Sequence, residues 1–257
     1  MTEIDISAKR LLEKLAKKVG KTILNHGLVQ PGDRILVAVS GGKDSYALLH
    51  LLTETLRHAP FKPYIVAIHV VNKDIGYQID LDFMKSFCLY LGIDLYIEES
   101  TVDLTVKSKK SPCFICSWER RKVIFQKARE FQCNKIAFGH HLDDAIQTLL
   151  MNMIYHGSIS SLPYFVKMFQ GERTLVRPLL DLDEQILSSL AKMMNYPVEV
   201  KQCKYSDTTK RDAVKKIIEE LNSKYPLTGK NLFKSMQNCF HEYLPELNQT
   251  LNKSPET

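Results

Sequence analysis

The sequence contains no apolar stretch that approaches the ~20 residues needed to cross a bilayer as a helix. Residues 1–10 are mostly polar and charged, and they lack the apolar core of a secretory signal peptide. These two absences exclude a helical transmembrane protein and predict a cytoplasmic location with no membrane partner. Hydrophobic residues make up 44% of the 257 positions and charged residues 25%, which is typical of a folded globular chain.

Cysteine is also scarce, and only one pair is closely spaced. The six cysteines are Cys88, Cys113, Cys116, Cys133, Cys203 and Cys239. A stable disulfide framework is not expected in the cytoplasm, so the close pair Cys113 and Cys116 favours metal binding or redox chemistry. Cys88 and Cys133 lie in apolar, helix-like surroundings, and we interpret them as small buried hydrophobic residues.

The chain is moderately basic, with 35 Lys and Arg against 29 Asp and Glu and a net charge of +6. This charge is compatible with a polyanionic partner such as nucleic acid, and equally with a basic enzyme that has none. The spacing of Leu11, Leu12, Leu15, Val19 and Ile23 predicts an amphipathic helix over 3–26. Its basic face either faces solvent or contacts nucleic acid.

A glycine-rich hexapeptide follows the apolar run at 35–39 and precedes the helix-like segment at 45–56. Its residues are Ser40, Gly41, Gly42, Lys43, Asp44 and Ser45. Strand, glycine turn and helix start, in this order, form a phosphate-binding device, because glycine lets the backbone approach an anion and the helix start presents free N–H groups. The spacing differs from a Walker A loop, which has four residues between its first glycine and the Gly-Lys pair. The alternative is an ordinary tight strand-to-helix turn.

Short apolar runs alternate with helix-like segments along most of the chain. We predict strands over 35–39, 64–71, 94–98 and 135–138, and helices over 45–56, 80–91, 117–131 and 143–155. The polar, lysine-rich stretch 101–112 is predicted to be a loop. This alternation is typical of an α/β fold with a doubly wound parallel sheet, which binds ligands at the carboxyl ends of its strands. The glycine loop and the residues after 138 should therefore lie at one edge of the sheet.

We divide the chain into four segments. They are an N-terminal helical segment 1–30, an α/β domain 31–200, a helical C-terminal region 201–247 that carries Cys203, and a tail 248–257 that is predicted to be disordered. An apparent strand at 197–200 ends the α/β domain.

A second polar cluster follows the predicted strand 135–138 and opens the next helix. It consists of Gly139, His140, His141, Leu142, Asp143 and Asp144. The dipole of a helix stabilises carboxylates at its N-terminus, and two carboxylates beside a triphosphate suggest Mg²⁺ held by one or two acids plus phosphate oxygens. The alternative is helix capping by the aspartates, with both histidines in structural hydrogen bonds.

The pair Cys113 and Cys116 is compatible with a redox dithiol, half of a zinc site or part of an iron–sulfur site. A structural zinc site usually takes its four ligands as two close pairs, and the sequence has no second pair. Cys203 is the best third ligand, since it follows the apparent strand at 197–200. Three thiolates on a four-iron cluster leave one iron open, as reactive metal sites do. The alternative is a cysteine pair without a catalytic role.

Together these segments resemble the PP-loop tRNA thiolation enzymes, most closely the tRNA 2-thiocytidine synthetase family. The matching stretches are 40–46, 112–121, 139–144, 147–149, 152–153, 177–179, Cys203, 224–226 and 233–238. They extend over most of the chain, from about Arg34 to Asn238. The resemblance implies an adenine-nucleotide hydrolase-like sheet, with the PP-loop ATP-binding domain at 31–200. It also implies ATP, Mg²⁺ and a [4Fe-4S] cluster on Cys113, Cys116 and Cys203.

The resemblance further implies a reaction and partners. ATP adenylates a base carbonyl of tRNA, pyrophosphate leaves, and sulfur displaces AMP to form, most consistently, 2-thiocytidine. The sulfur donor would be a cysteine desulfurase system or inorganic sulfide, and a homodimer is the family expectation. The expected catalytic residues are Lys43, Asp144 and Arg120. The expected nucleotide-binding residues are Ser40, Gly41, Gly42, Lys43, Asp44, Ser45, Gly139, Asp143 and Asp144. Arg120, Arg121 and the lysine-rich segment 107–110 would contact RNA phosphates; the alternative for that segment is a solvated surface.

Two departures from the family pattern bear on the substrate. Tyr205 and Ser206 follow Cys203, where the synthetase family often has a second cysteine pair. Related 2-thiouridine enzymes carry zinc-finger cysteine pairs and a lysine at the position of Arg120, so this chain favours the cytidine branch. Two other functions remain open. One is a PP-loop adenylating enzyme that joins nitrogen, as in lysidine or amide synthesis, and the other is a non-catalytic nucleotide-binding iron–sulfur redox sensor.

Overall fold

The computed structural model of the protein describes residues 6–72, 79–101, 112–197 and 210–245. The strands are β1 Arg34–Ala38, β2 Tyr64–Asn72, β3 Asp94–Ser100, β4 Lys135–Ala137, β5 Phe165–Met168 and β6 Arg173–Val176. The helices are α1 Ile6–His26, α2 Lys43–Arg57, α3 Leu81–Leu91, α4 Pro112–Glu130, α5 Leu142–His156, α6 Glu184–Met193, α7 Lys210–Lys224 and α8 Thr228–Ser235. Short 3₁₀ turns lie at Phe169–Gly171 and His241–Tyr243.

The six strands form one sheet in the order β3-β2-β1-β4-β6-β5. All neighbouring pairs are parallel except β5 and β6, which run antiparallel at one edge. The predicted α/β fold with a parallel sheet is therefore confirmed. The edge pair escaped prediction because its strands are only four residues long and partly exposed, which leaves little periodic signal.

Helices cover both faces of the sheet. Successive side chains of a strand point to opposite faces, so Ile35 and Val37 of β1 join one buried cluster and Leu36 joins the other. The first cluster packs beneath α1, α2, α3 and α6, and the second beneath α4. Burial on both faces explains why β1 and most of β2 read as continuous apolar runs.

Helix α1 is amphipathic as predicted and begins at Ile6. Its apolar face, including Leu12, Leu15, Val19 and Ile23, is buried against α2 and α6. The apolar face of α1 is therefore part of the first buried cluster, and α1 packs on the outer side of the helices that cover the sheet.

Helix α4 differs from its prediction in one respect that matters for the site. We expected a helix from 117, whereas α4 begins at Pro112 and so contains Cys113 and Cys116 in its first turns. Proline fits the first position of a helix, because its φ is already helical and its missing N–H would have no partner there. Most of the predicted loop at 101–112 and residues 198–200 of the predicted strand 197–200 lie outside the described residues.

The C-terminal helices α7 and α8 pack against α5 through a smaller apolar cluster. Val214 and Ile218 of α7 are buried there against Leu142 and Ile146 of α5. This contact brings the polar first turns of α7 to the carboxyl edge of the sheet. Among the described helices, none is both long and apolar enough to span a membrane.

Buried His50 makes the stability of the fold sensitive to acid. Its Nδ1 is hydrogen-bonded to Tyr196 Oη at 2.9 Å, and burial, with a smaller effect of Arg57, lowers the pKa of His50 to about 4. The unfolded chain binds a proton on His50 near pH 6.5, whereas the folded protein does so only near pH 4. The folded state is therefore fully stable above pH 6.5 and loses stability as the pH falls toward 4. We expect the folded state to lose about 2 kcal/mol through this group between pH 7 and pH 5.

The measurement is urea unfolding of the native protein and of His50→Asn at both pH values. Asparagine does not titrate, so the pH-dependent loss should be about 2 kcal/mol smaller in the variant. Equal losses in the two proteins would show that His50 is not the acid-sensitive group.

Candidate active site

The two polar segments predicted to share an edge lie side by side. The glycine loop 40–45 follows β1 and the segment 139–144 follows β4, and these two strands are paired through Leu36 and Ile136. The carboxyl ends of neighbouring parallel strands open at the same edge, where ligands bind in open α/β sheets. The sheet topology therefore places both segments in one candidate site.

The glycine loop is held by its own serine hydroxyls. Gly41 N donates to Ser45 Oγ at 3.2 Å, Gly42 N donates to Ser40 Oγ at 3.3 Å, and Ser45 Oγ donates to Gly42 O at 2.7 Å. Gly41 has φ +92°, and a Cβ there would lie 2.6 Å from Ile79 Cγ2. No side chain caps α2 at Gly42, so its N-terminus presents the open, positive end that favours an anion.

Gly139 is required by the close approach of the two segments. A Cβ at this position would lie 2.9 Å from the backbone oxygen of Asp44 and 3.4 Å from the backbone nitrogen of Ser45. Backbone atoms cannot rotate away as a flexible side chain can. Gly139 therefore serves the site by letting the segment after β4 rest directly on the start of α2.

Gly139→Ala is expected to displace the glycine loop. We expect a stability loss of about 1–3 kcal/mol from overpacking, together with weaker nucleotide binding, measured by thermal unfolding and by titration with ATP. Gly157→Ala is the matched control, since Gly157 has φ +61° but nothing within 4 Å of its Cβ position. Gly157→Ala should lose stability through backbone strain alone, and its affinity for ATP should be unchanged. A similar loss of ATP affinity in both variants would contradict the steric argument.

Lys43 lies in a chain of ion pairs that links α2, α6 and α7. Its Nζ is 3.1 Å from Asp44 Oδ2 and 3.4 Å from Glu184 Oε1, and Lys215 Nζ is 3.0 Å from Glu184 Oε2. Burial favours the neutral amine, but the two carboxylates outweigh it and raise the pKa of Lys43. The lysine is therefore charged at neutral pH and held at the edge of the glycine loop.

His141 lies among three carboxylates. Its Nε2 is 3.5 Å from Asp144 Oδ2 and 3.9 Å from Asp44 Oδ2, and its Nδ1 is 3.5 Å from Asp143 Oδ2. Burial opposes protonation, yet the close carboxylate of Asp143 and the charges of Asp144 and Asp44 raise the pKa of His141. The three carboxylates therefore favour the protonated form of this ring, which in turn would lessen their mutual repulsion.

Asp143 and Asp144 both carry structural hydrogen bonds. Asp143 Oδ2 accepts from the backbone nitrogen of Glu184 at 2.7 Å, and Asp144 Oδ2 accepts from the backbone nitrogen of His141 at 3.1 Å. Asp144 Oδ1 also lies 3.7 Å from Arg211 Nη2. The contact of Asp144 caps α5, as the capping interpretation expects, whereas Asp143 binds the first residue of α6 instead. Both contacts leave only part of each carboxylate for a ligand.

Asp44 and His140 complete the polar wall. Asp44 Oδ1 is buried and has no hydrogen-bond partner among the described residues. His140 Nδ1 accepts a hydrogen bond from Arg177 Nε at 3.3 Å, and burial lowers the pKa of His140 to about 4. His140 is therefore neutral at physiological pH, and its pKa is shifted in the direction opposite to that of His141.

A cavity of about 440 Å³ connects the glycine loop to helix α4. Its lining residues are Ala38, Val39, Ser40, Asp44, Ser45, Ile68, Val70, Pro112, Cys116, Ser117, Arg120, Arg121, Ile124, Phe138, Gly139 and His140. The apolar strand ends supply a floor, and α4 supplies a thiol and two guanidinium groups opposite the loop. We call this space the loop–thiol cavity.

Cys116 is the thiol in this cavity. It is half-buried, and Asn72 Nδ2 donates to its sulfur at 3.7 Å. Cys113 lies one turn earlier on α4, and residues three apart share a helix face. The side chain of Cys113 and the whole of Cys203 lie outside the described part of the structure. Within the described part, no three His, Cys, Asp or Glu side chains are grouped as metal ligands.

The remaining cysteines behave as expected. Cys88 and Cys133 are each 1% exposed, and burial raises the pKa of both thiols to about 11, which makes them unreactive. Their interpretation as small buried hydrophobic residues is confirmed. Cys239 is exposed and is remote in sequence from the site segments.

Several polar residues of the site could not be identified from the sequence. Glu184, Arg211 and Lys215 belong to helices α6 and α7 and carry no motif of their own. They line a second cavity of about 690 Å³, which shares Asp44 with the loop–thiol cavity. The only local sign of a role at the site was the position of Glu184, an acid at the first position of α6 directly after the helix cap Asp183.

Comparisons with known proteins agree with this geometry. The PP-loop domain model matches residues 9–221. A tRNA-cytidine(32) 2-sulfurtransferase of Geobacter sulfurreducens is 33% identical over 241 residues, which cover 91% of this chain and 93% of the relative. One of Polynucleobacter necessarius is 32% identical over 249 residues, covering 94% and 81%.

A solved structure is also similar over most of the chain. It is the U34-tRNA thiolase NcsA from Methanococcus maripaludis with its [4Fe-4S] cluster. The two chains share 27% identity with a TM-score of 0.75, covering 90% of this chain and 80% of NcsA. From the glycine loop, the sheet order and these matches, it follows that the chain belongs to the PP-loop domain family, among relatives named tRNA-cytidine(32) 2-sulfurtransferases.

Proposed function

We propose that the protein is an ATP-dependent, [4Fe-4S]-dependent tRNA sulfurtransferase that forms 2-thiocytidine. The observation that carries this proposal is the loop–thiol cavity, in which the phosphate-binding loop and Cys116 of α4 face one space. An activated oxygen and an incoming sulfur must meet at the same carbon atom. A cavity that joins both halves is what such a reaction requires.

ATP would bind with its phosphates on the glycine loop. The free N–H groups at the start of α2 favour negative charge there, and Lys43 carries its ammonium group from the same first turn. Lys43 now lies between Asp44 and Glu184, and Glu184 keeps Lys215 as a second partner. Lys43 can therefore turn to a phosphate without leaving Glu184 unpaired.

Mg²⁺ would bind between the phosphates and the carboxylates at this edge. The orphaned Asp44 Oδ1 is the strongest structural support, because a cation would satisfy a buried oxygen that has no partner among the described residues. Asp144 lies close by, since both acids approach His141 Nε2. One or two carboxylates plus phosphate oxygens are the usual protein environment of Mg²⁺.

The cluster would bind through Cys113, Cys116 and Cys203. The donor set fits: two of the three cysteines lie on one face of α4, and Cys116 opens into the loop–thiol cavity. The Asn72 amide near the Cys116 sulfur can stabilise negative charge there. When bound, a cluster with three protein ligands supplies an iron with an open coordination position that can hold sulfur.

The proposed chemistry consists of two steps. The carbonyl oxygen of the base attacks the α-phosphorus of ATP, and pyrophosphate leaves, giving an O-adenylated base. Hydrosulfide then attacks the same carbon, AMP leaves with the oxygen, and the proton of the hydrosulfide is lost to solvent. Inorganic sulfide supplies it directly, whereas sulfur from a cysteine desulfurase system arrives as a persulfide and needs a thiol reductant, which becomes a disulfide, to release it at the sulfide level. Lys43, Arg120 and Arg121 would stabilise the negative charge on the phosphates, while neutral His140 adds no charge to the cavity wall.

The test is conversion of unmodified tRNA by the anaerobically prepared holoprotein with ATP, Mg²⁺ and sulfide. We expect one AMP and one pyrophosphate for each thionucleoside, and mass spectrometry of digested tRNA should identify 2-thiocytidine. Thiolation of a uridine instead would overturn the choice of base. Stoichiometric zinc in place of a coloured iron–sulfur chromophore would contradict the proposal that the protein binds a [4Fe-4S] cluster.

Two other functions predict different results in the same assay. An enzyme that joins nitrogen would form AMP and pyrophosphate without any thionucleoside and would not depend on Cys116. A redox sensor would hold the cluster but release no pyrophosphate in the presence of tRNA. The cavity favours sulfur transfer over both. An enzyme that joins nitrogen needs no thiol, and a sensor needs thiols for its cluster but no phosphate-binding loop facing them.

A further inference from the structure

Helix α4 exposes an aromatic pair beside the loop–thiol cavity. Trp118 is 53% exposed and Phe114 43%, and they lie one turn apart on the same face of α4. Their rings are nearly parallel, with an interplanar angle of 10° and centroids 6.4 Å apart. Large apolar rings that are exposed to water are stabilised when a binding partner covers them, so an exposed pair of this kind suggests a binding surface. We call these two residues the aromatic pair.

The aromatic pair flanks the cavity rather than lining it. Neither ring belongs to the cavity wall, but Arg121, three residues after Trp118, does. Residues three apart are neighbours on a helix surface, so the pair continues directly from the rim that Arg121 forms. If a polymeric ligand inserted one of its residues into the cavity past Arg121, the neighbouring residue of that ligand would lie on Trp118.

The surrounding charges select a nucleic acid as the occupant. Arg120, Arg121 and Lys122 follow Trp118 in sequence, with Glu119 as the one acid among them. Aromatic faces interleaved with cations are typical of surfaces that bind single-stranded nucleic acid, where bases stack and phosphates meet Arg or Lys. Protein interfaces are also enriched in aromatic residues and Arg, but they are depleted in Lys, so three consecutive cations near Trp118 favour a polyanion over a partner protein.

We propose that Trp118, assisted by Phe114, stacks on the nucleobase next to the reacting base of tRNA and so positions that base in the cavity. The proposal rests on the proposed function, because it assumes that tRNA is the substrate. Enzymes that act on one unstacked base commonly recognise its flanking nucleotides. Trp118 is thus a positioning residue, since it contacts the neighbour of the reacting base and not the reacting atoms.

The test uses the fluorescence of Trp118, which is the only tryptophan of the chain. We expect unmodified tRNA and a single-stranded RNA loop to quench this fluorescence in the holoprotein, and duplex RNA to leave it unchanged. Trp118→Ala should weaken tRNA binding about tenfold or more, while Trp118→Tyr should retain most of the affinity. The salt dependence of binding should be the same in Trp118→Ala as in the native protein, because no phosphate contact is lost.

Tyr90→Ala is the matched control. Tyr90 is 51% exposed on α3, which covers the opposite face of the sheet, so its loss should change neither affinity nor quenching. Unchanged tRNA affinity in Trp118→Ala with normal thiolation would overturn the stacking and leave the proposed function intact. Absence of any tRNA binding by the native protein would overturn both. Dissociation of an oligomer by Trp118→Ala, seen by sedimentation, would assign the aromatic pair to a protein interface and overturn the proposal.

Discussion

Replacing Cys116 with alanine is expected to abolish thiolation of tRNA while leaving ATP binding intact. Cys116 is the one proposed cluster ligand whose side chain the structure describes, and it lines the cavity that the glycine loop also lines. Without its thiolate the iron–sulfur centre cannot keep three protein ligands. We expect the thiolation rate to fall by at least about a thousandfold, equivalent to roughly 4 kcal/mol in the activation barrier.

Three measurements check this prediction on anaerobically prepared protein: iron content, visible absorption and the rate of 2-thiocytidine formation. Cys239→Ala is the matched control, since Cys239 is exposed and lies outside the proposed ligand set. The control should keep its iron and its activity. A Cys116→Ala protein that still carries a full cluster and thiolates tRNA would show that α4 does not hold the reactive centre.

Replacing Lys43 with alanine is expected to produce the opposite pattern, with the cluster retained and nucleotide chemistry lost. Lys43 is charged at neutral pH because Asp44 and Glu184 raise its pKa against the effect of burial. Its charge lies at the start of α2, where the phosphates would bind. Removing one positioned donor that stabilises developing negative charge typically costs about a hundredfold to a thousandfold in rate, and we expect a loss of this order.

The measurement is release of pyrophosphate from ATP in the presence of tRNA, together with iron content. Lys85→Ala, which changes an exposed lysine of α3, is the control for loss of a positive charge and should be fully active. Since Glu184 keeps its ion pair with Lys215 at 3.0 Å, Lys43→Ala should unfold at nearly the native temperature. Full pyrophosphate release by Lys43→Ala would remove the glycine loop from the proposed mechanism.

Most of the fold could be predicted because its signals are local. A buried parallel strand such as β1 needs consecutive apolar residues, and α1 needs an apolar stripe, so both patterns are visible in any short window. That the glycine loop and Gly139 share one edge of the sheet follows from local patterns, since each segment follows a strand, whereas their direct contact depends on the pairing of β1 with β4. The antiparallel pair β5 and β6 and the start of α4 at Pro112 were missed, because their segments are short or begin with residues of weak helix propensity.

The sequence by itself determined the α/β class and the glycine loop between a strand and a helix. The role of Cys113, Cys116 and Cys203 in sulfur chemistry stays a prediction. Only the tertiary structure decided which side chains meet at the site. Glu184 reaches Lys43 across 141 positions of sequence, and Arg211 reaches Asp144 because Val214 and Ile218 pack α7 against α5. Such contacts arise from the burial of apolar faces far from the polar groups themselves. A local pattern therefore predicts a helix, whereas the packing of its other face decides what its polar residues touch.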